Sequence, residues 1–175
     1  RVVDLDALRA TGARIFLDAT QAVGAYPVDV DGIDFLVAHA YKWLLCPRGL
    51  AFLYIEPERR LEIEPWTAGW KSREDPYADY YGLPELTGDA RRLDVSLPWL
   101  PAAGGRASLA LFAALGVERI AAHNLGLARA LTGELGLPDA ESPIVCLAVD
   151  DPESAARRLQ ESGVACSLRG GSVRL

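Results

Sequence analysis

Residues 14–49 of the chain read RIFLDATQAVGAYPVDVDGIDFLVAHAYKWLLCPRG. Within this stretch, residues 14–17 and 33–38 form two short, largely apolar runs, and each is followed by polar residues. Such runs predict buried strands, and residues 51–55 predict a third. Strands of this composition, separated by loops or short helices, favour an α/β layer with a mainly parallel, covered sheet.

Two polar residues stand just past the ends of the first two predicted strands. Asp18 follows the first strand and Lys42 follows the second, where α/β sheets place the groups that contact ligands. An aldehyde cofactor needs an amine that can bond to it and a carboxylate that keeps its pyridine nitrogen protonated. Lys42 and Asp18 are candidates for these two roles.

The same stretch carries several spaced elements in a fixed order. They are Asp18–Gly24 (DATQAVG), 27–30 (PVDV), Asp34 and 41–49 (YKWLLCPRG). They resemble the DxxQxxG, PxDV, D and (H/Y)KxxxxPxG pattern of the class V aminotransferase and cysteine desulfurase-like family of pyridoxal 5′-phosphate (PLP) enzymes, which have fold type I. Gly69-Trp70 and residues 171–174 (GSVR) are similar to two further family elements.

The resemblance implies a role for each matching residue. Lys42 would form the internal aldimine, the Schiff base with the cofactor, and Asp18 would pair with the pyridinium nitrogen. Gln21 would bind or lie beside the phenolic oxygen of the ring, and Tyr41 would reach the phosphate. Arg174 would hold the carboxylate of an amino acid substrate, because a planar guanidinium can bind both oxygens.

The chain departs from the family pattern at two positions. His39 stands where relatives carry Ser or Thr, three residues before the lysine. This histidine is either a phosphate or ring contact or a loop histidine bound to a backbone carbonyl. Ser96 is the candidate where relatives carry a Gly-Thr pair, and Arg169 is the alternative to Arg174 as carboxylate anchor. In the family, the turn that cradles the phosphate and the aromatic residue stacked on the ring precede the DxxQ segment.

The rest of the chain predicts a second, smaller domain. Residues 65–101 lack periodicity and are rich in aromatic residues, which predicts a long binding or lid loop. Helical spacing at 107–114 and 117–135 is followed by a predicted strand, helix and strand over 144–168. We therefore expect residues 1–116 to be the C-terminal part of a large PLP-binding domain and 117–175 to be a small, incomplete α+β domain. With no methionine and a start at Arg1, the chain is expected to be part of a longer protein.

Composition excludes several classes of function. The net charge is −6 and the basic residues are scattered, which argues against a nucleic-acid partner. No apolar run approaches the length of a membrane span, and the expected location is cytoplasmic. Cys46, Cys146 and Cys166 show no CxxC spacing, so the sequence predicts neither a disulfide framework nor a metal site.

The predicted function is that of a PLP-dependent transferase acting on an amino acid, most simply a class V aminotransferase and, like its relatives, a homodimer. Epimerase and cysteine desulfurase or lyase chemistry are the enzymatic alternatives. A desulfurase uses a loop cysteine, whereas Cys166 lies in an alternating segment and is expected to pack as a small apolar residue. A noncatalytic or truncated family member that serves as a dimerisation or interaction module is the alternative from another class. A general nucleotide-binding domain is a weaker interpretation, because the sequence has no GxGxxG or P-loop.

Overall fold

The first sheet has three strands in the order β1-β2-β3, namely Phe16–Asp18, Phe35–His39 and Ala51–Ile55. In this computed structural model, which describes residues 2–78, 81–82 and 85–175, β1 and β2 are parallel, with Asp18 opposite Val37. β2 and β3 are antiparallel. The carboxyl ends of β1 and β2 therefore lie at the same edge of the sheet.

The described residues divide into two units, Asp4–Val117 and Glu118–Leu175, the latter together with the first residues of the chain. The first unit contains, besides its sheet, helix α1 (Leu5–Arg9), three 3₁₀ helices (Pro57–Glu62, Trp70–Ser72 and Ala90–Leu93) and helix α2 (Trp99–Leu115). The second contains nearly all of helix α3 (Val117–Glu134), strand β4 (Cys146–Leu147), helix α4 (Pro152–Glu161) and strands β5 (Ser167–Arg169) and β6 (Ser172–Arg174).

An apolar core supports the sheet of the first unit. Its buried members are Ile15, Ala19, Ile33, Leu36 and Ala38. Leu36 and Ala38 alternate along β2, as expected for a strand with one face in the core. This burial fixes the register of β2, because a shift by one residue would turn its apolar side chains away from the core.

A polar tie joins the amino-terminal ends of β1 and β2. The Asp34 carboxylate accepts a hydrogen bond from the backbone N–H of Ile15 at 2.8 Å and another from Nε of Arg59 at 3.0 Å. The bond from Ile15, followed by the contact with Arg59, lowers the pKa of Asp34. Asp34 thus ties β1 and β2 together at their amino-terminal ends. The polar residues that end or follow these two strands lie at the opposite end of the sheet.

The second unit is a small α+β arrangement. Its sheet has the order β4-β6-β5, and both pairings are antiparallel. Val173 at the centre of β6 is buried. Helix α4 begins after Asp151, whose carboxylate accepts from the Ser154 N–H, and has Pro152 at its first position.

The described part of the chain lacks two kinds of feature. No single helix there is long and apolar enough to cross a membrane, although α2 and α3 together meet the length and composition requirements as a bent pair. The described residues contain no group of three or more His, Cys, Asp or Glu side chains that could hold a metal ion.

Candidate active site

The site begins with a hydrogen-bonded link between the ends of β1 and β2. The Asp18 carboxylate accepts a hydrogen bond from the backbone N–H of Thr20 at 2.9 Å and a second from the Thr20 hydroxyl. The same hydroxyl accepts from the backbone N–H of His39 at 3.1 Å. Thr20 is buried, whereas Asp18 and His39 are exposed, so one buried hydroxyl positions two accessible residues.

This link also controls the charge of Asp18. The hydroxyl and backbone hydrogen bonds from Thr20, helped by the nearby His39, hold the pKa of Asp18 below its ordinary value. The carboxyl group is therefore ionised at neutral pH. An ionised carboxylate at the end of a strand is suited to binding a protonated ring nitrogen.

The residues that follow β2 gather around the ring of Tyr41. The His39 and Tyr41 rings lie 5.4 Å apart, centre to centre. Nζ of Lys42 lies 5.4 Å from the centre of the Tyr41 ring, and the guanidinium carbon of Arg48 lies 4.4 Å from it. The chain thus places an amine, an imidazole and a guanidinium around one aromatic side chain.

Lys42 begins a tight turn that we call the lysine turn, residues 42–45. The Lys42 carbonyl accepts a hydrogen bond from the Leu45 N–H at 3.0 Å, and Leu45 has a φ of 55°. Just outside the turn, the Cys46 N–H donates to the Ala40 carbonyl at 3.0 Å. Ala40 is completely buried, so the turn is anchored in the core at its base.

Gly24, the last residue of the DxxQxxG element, packs directly on the lysine turn. It has a φ of 91°, and a Cβ there would lie 3.0 Å from Cδ2 of Leu44 and 3.1 Å from the carbonyl carbon of Trp43. A side chain at position 24 would therefore displace the turn. Gly24 thus holds the segment that begins at Asp18 against the lysine turn.

Helix α2 packs on residues 47–50, which follow the lysine turn. A Cβ at Gly104 would lie 2.7 Å from Cγ of Pro47, and one at Gly105 would lie 3.0 Å from Cδ2 of Leu50. The Ser108 hydroxyl donates to the Leu45 carbonyl at 2.9 Å. Two glycines and a serine thus let the helix approach the backbone that follows Lys42.

The other predicted site residues lie in several places. Gln21 is exposed in the turn after β1. Arg174 lies in β6 of the second unit, opposite Cys146 and Ser167, and Arg169 ends β5. Ser96 accepts a hydrogen bond from the Trp70 indole at 3.0 Å. The structure brings Asp18, His39, Tyr41 and Lys42 to one edge of the first sheet; the roles of all these residues, with Gln21 and Arg174, stay predictions.

Three residues of this region were not identified from the sequence: Thr20, Arg48 and Ser108. Thr20 and Arg48 lie inside the quoted family elements, and this position could have marked them as site residues. The hydrogen bond from His39 to the Thr20 hydroxyl depends on the pairing of β1 with β2, which the sequence does not show. Ser108 lies 63 residues after Leu45. No local pattern relates two positions so far apart.

The cysteines are all described, and two of them are packed. Cys46 is buried, its thiol donates to the Leu44 carbonyl at 3.4 Å, and burial raises its pKa. The half-buried Cys166 lies just before β5, and its thiol donates to the Ala156 carbonyl of α4 at 3.6 Å. Cys146 is exposed in β4.

Comparisons with known proteins agree on the family. A chain from Thermococcus onnurineus NA1, a cysteine desulfurase without cofactor, matches with a TM-score of 0.74 and 23% identity over 97% of this chain and 48% of its own. A mutant of C-DES with glycine covalently linked to its PLP cofactor matches with a TM-score of 0.73 and 24% identity, over 92% and 46% of the two chains. Likenesses at this identity establish the fold: a mixed α/β PLP-dependent enzyme fold, of which the chain spans about half.

Sequence comparison gives the same answer. An uncharacterized aminotransferase of Bacillus subtilis (strain 168), YcbU, is 33% identical over 115 residues, which are 64% of this chain and 30% of that protein. Residues 3–157 match the family described as aminotransferase class-V. Since this match spans most of the chain and the folds agree, the chain belongs to the class-V aminotransferase family.

Proposed function

We propose that the first unit forms the lysine side of a PLP site, and that the full-length protein is a PLP-dependent enzyme that transfers the amino group of an amino acid. Family membership supports the general activity. One observation carries the assignment of residues: Asp18 ends β1 and Lys42 follows the parallel neighbouring strand β2 at the same sheet edge, and the two are connected through Thr20, His39 and Tyr41.

The chemistry of these residues fits PLP. When bound, PLP supplies an aldehyde that bonds to amines and a ring that withdraws electrons from the substrate α-carbon. Asp18, ionised at neutral pH, keeps the ring nitrogen protonated. Lys42 would hold the cofactor through its Nζ amine, and the same amine would serve as general base for the substrate α-proton.

The remaining residues would orient cofactor and substrate. Tyr41 would bind the cofactor phosphate through its hydroxyl, and Arg48, stacked on the same ring, would add a positive charge beside it. Gln21 contacts the phenolic oxygen. By the family resemblance alone, Arg174 would supply a planar pair of donors for the substrate carboxylate.

Two of the three cysteines in the described ranges are poorly placed for desulfuration. A persulfide-forming enzyme needs an accessible thiol that can approach the substrate. Cys46 is buried and Cys166 is hydrogen-bonded to α4, which leaves Cys146 as the exposed thiol. Sulfide release from cysteine that Cys146→Ala abolishes would favour the desulfurase instead.

The cofactor lysine is tested directly in the full-length protein. The sequence contains two lysines, Lys42 and Lys71, and Lys71 lies over the Trp70 ring, so Lys71→Ala is a matched control. We expect a yellow protein in which borohydride fixes PLP to the peptide that contains Lys42. Lys42→Ala should lose this covalent label completely, and Lys71→Ala should keep it.

Two results would contradict this assignment. One is a label that survives in Lys42→Ala. The other is a full-length wild-type protein that stays colourless with added PLP, which would favour the noncatalytic module.

The role of Asp18 gives a second prediction. Asp18→Ala should still take up PLP on Lys42, because the amine is unchanged. Removal of the α-proton should slow by on the order of a hundredfold, since the ring nitrogen loses its counter-charge. Exchange of the substrate α-hydrogen with deuterated water, followed by NMR, measures this step. Exchange at the wild-type rate would show that the carboxylate does not face the ring.

A further inference from the structure

Leu45 has a backbone conformation that leucine disfavours. Its φ of 55° makes it the one non-glycine residue with a positive φ in the described ranges. In this region the Cβ of an L-residue crowds the neighbouring carbonyl oxygen, so an unconstrained leucine would leave it. Leu45 ends the turn that begins at Lys42, and a change in its backbone would therefore move the lysine.

The side chain of Leu45 does not hold this conformation, because it is 65% exposed. The backbone is held instead by two hydrogen bonds. The Leu45 N–H donates to the Lys42 carbonyl at 3.0 Å, and the Leu45 carbonyl accepts from the Ser108 hydroxyl at 2.9 Å. The first bond closes the turn, and the second fixes the turn to helix α2.

Helix α2 can deliver this hydroxyl only because it approaches closely one turn earlier. Gly104 faces Pro47, and the buried Gly105 faces Leu50, with no room for a Cβ at the first and little at the second. Ser108 lies on the same face of the helix as these glycines, three and four residues later. Glycines inside a helix weaken it, so their presence here is explained by this approach.

We propose that Ser108 is a positioning residue for the cofactor lysine: its hydrogen bond holds Leu45 in the left-handed region and so fixes where the lysine turn presents Lys42. The proposal rests on the proposed function of Lys42. Ser108 itself is given no contact with cofactor or substrate, and it acts through the backbone.

The test measures amide hydrogen exchange in the cofactor-free, full-length protein. Ser108→Ala should speed exchange of the Leu45 amide by about fivefold, the effect expected from losing one hydrogen bond. Ser108→Thr should restore slow exchange. Ser162→Ala is the matched control, because the Ser162 hydroxyl also donates to a backbone carbonyl, that of Arg158, at 2.9 Å. It should leave the Leu45 amide unchanged.

A second variant isolates the strained conformation. Glycine adopts a positive φ without strain, so in a Leu45→Gly background the same Ser108→Ala change should speed exchange of residue 45 by less than twofold. Unchanged exchange in Ser108→Ala, or an equal effect in both backgrounds, would overturn the proposal.

The link to Lys42 is read from the bound cofactor. Ser108→Ala should shift the midpoint pH at which the absorbance of the yellow cofactor band changes. Ser108→Thr and Ser162→Ala should leave this midpoint unchanged. Failure of the proposed function would appear separately, as wild-type protein without borohydride label at Lys42. If borohydride labels Lys42 normally and Ser108→Ala does not shift the pH dependence of the yellow absorbance band, the positioning role alone is refuted.

Discussion

Thr20 shows how one buried hydroxyl can lower the pKa of one residue and bind the backbone of another. It donates to Asp18 and accepts from the His39 backbone N–H, so both hydrogen-bonding capacities of the hydroxyl are used. Burial of Thr20 fixes this geometry. The pKa of Asp18 therefore depends on a neighbour two residues away.

Replacement of Thr20 by valine tests this dependence. Valine keeps the shape and removes the hydroxyl, which is the first cause of the lowered pKa of Asp18. The pKa should rise, and the acidic limb of kcat/KM should move to higher pH, because the ionised form is the active one. Carbon-13 NMR titration of the Asp18 carboxyl in the full-length protein measures the pKa, and Thr20→Ser is the control. A titration identical to wild type would show that the hydroxyl has no such effect.

At the scale of residues, sequence reasoning identified the groups that carry chemistry better than those that position them. Asp18 and Lys42 stand out because their types and spacing match a chemical need and a family pattern. Thr20 and Ser108 act through bonds to backbone atoms of distant segments. Such bonds follow from strand pairing and helix packing, which the local sequence does not record.

At the scale of elements, strands were predicted well where they are apolar throughout. The strand predicted at residues 51–55 is confirmed as Ala51–Ile55, and the one predicted at 33–38 is observed at Phe35–His39. The prediction of a loop over residues 65–101 was partly wrong, since the described part of this range contains two short 3₁₀ helices and the start of α2.

Helix α2 begins at Trp99, eight residues before the predicted start at residue 107. Pro101, Gly104 and Gly105 obscured its first half, because both residue types are poor helix formers. Proline is tolerated in a first turn, where its missing N–H has no helical partner. The glycines are there for contacts with Pro47 and Leu50, which a helical pattern does not reveal.

Gly24 gives a prediction at this scale. Gly24→Ala should lower the free energy of unfolding by about 2 kcal/mol or more, because alanine is strained at φ 91° and its Cβ would meet Leu44 and Trp43. Gly126→Ala is the opposite control: Gly126 lies inside α3 with open space around it, so alanine should raise stability by up to about 1 kcal/mol. Urea unfolding of the full-length protein measures both. Equal changes in the two variants would show that the close approach of Gly24 is unimportant.

At the scale of the whole molecule, several large apolar side chains in the described residues lie exposed. Trp66, Trp99 and Leu100 are 97%, 84% and 85% exposed. Adjacent large apolar residues at the start of a helix are unusual on a free surface.

We predict that the full-length protein is a homodimer, and sedimentation equilibrium should give twice the mass of one chain. Leu100→Asp should weaken the dimer at least about tenfold if Leu100 lies in the interface, because a charge would be buried there. Leu127→Asp, at an exposed position of α3, is the control. A wild-type protein with the mass of one chain would contradict the prediction.

The packing around the lysine turn has a consequence for recombining this protein with its relatives. Gly24 meets the backbone of Trp43 and Leu44, and the 101–108 segment meets the side chains of Pro47 and Leu50 and the Leu45 carbonyl. The fit of these three segments depends on missing side chains and on one hydroxyl. In a chimera whose crossover point separates any of these three segments from the others, the contacting surfaces would come from two different proteins and would not fit each other. Functional hybrids should therefore inherit all three from a single parent, however far apart they lie in the gene.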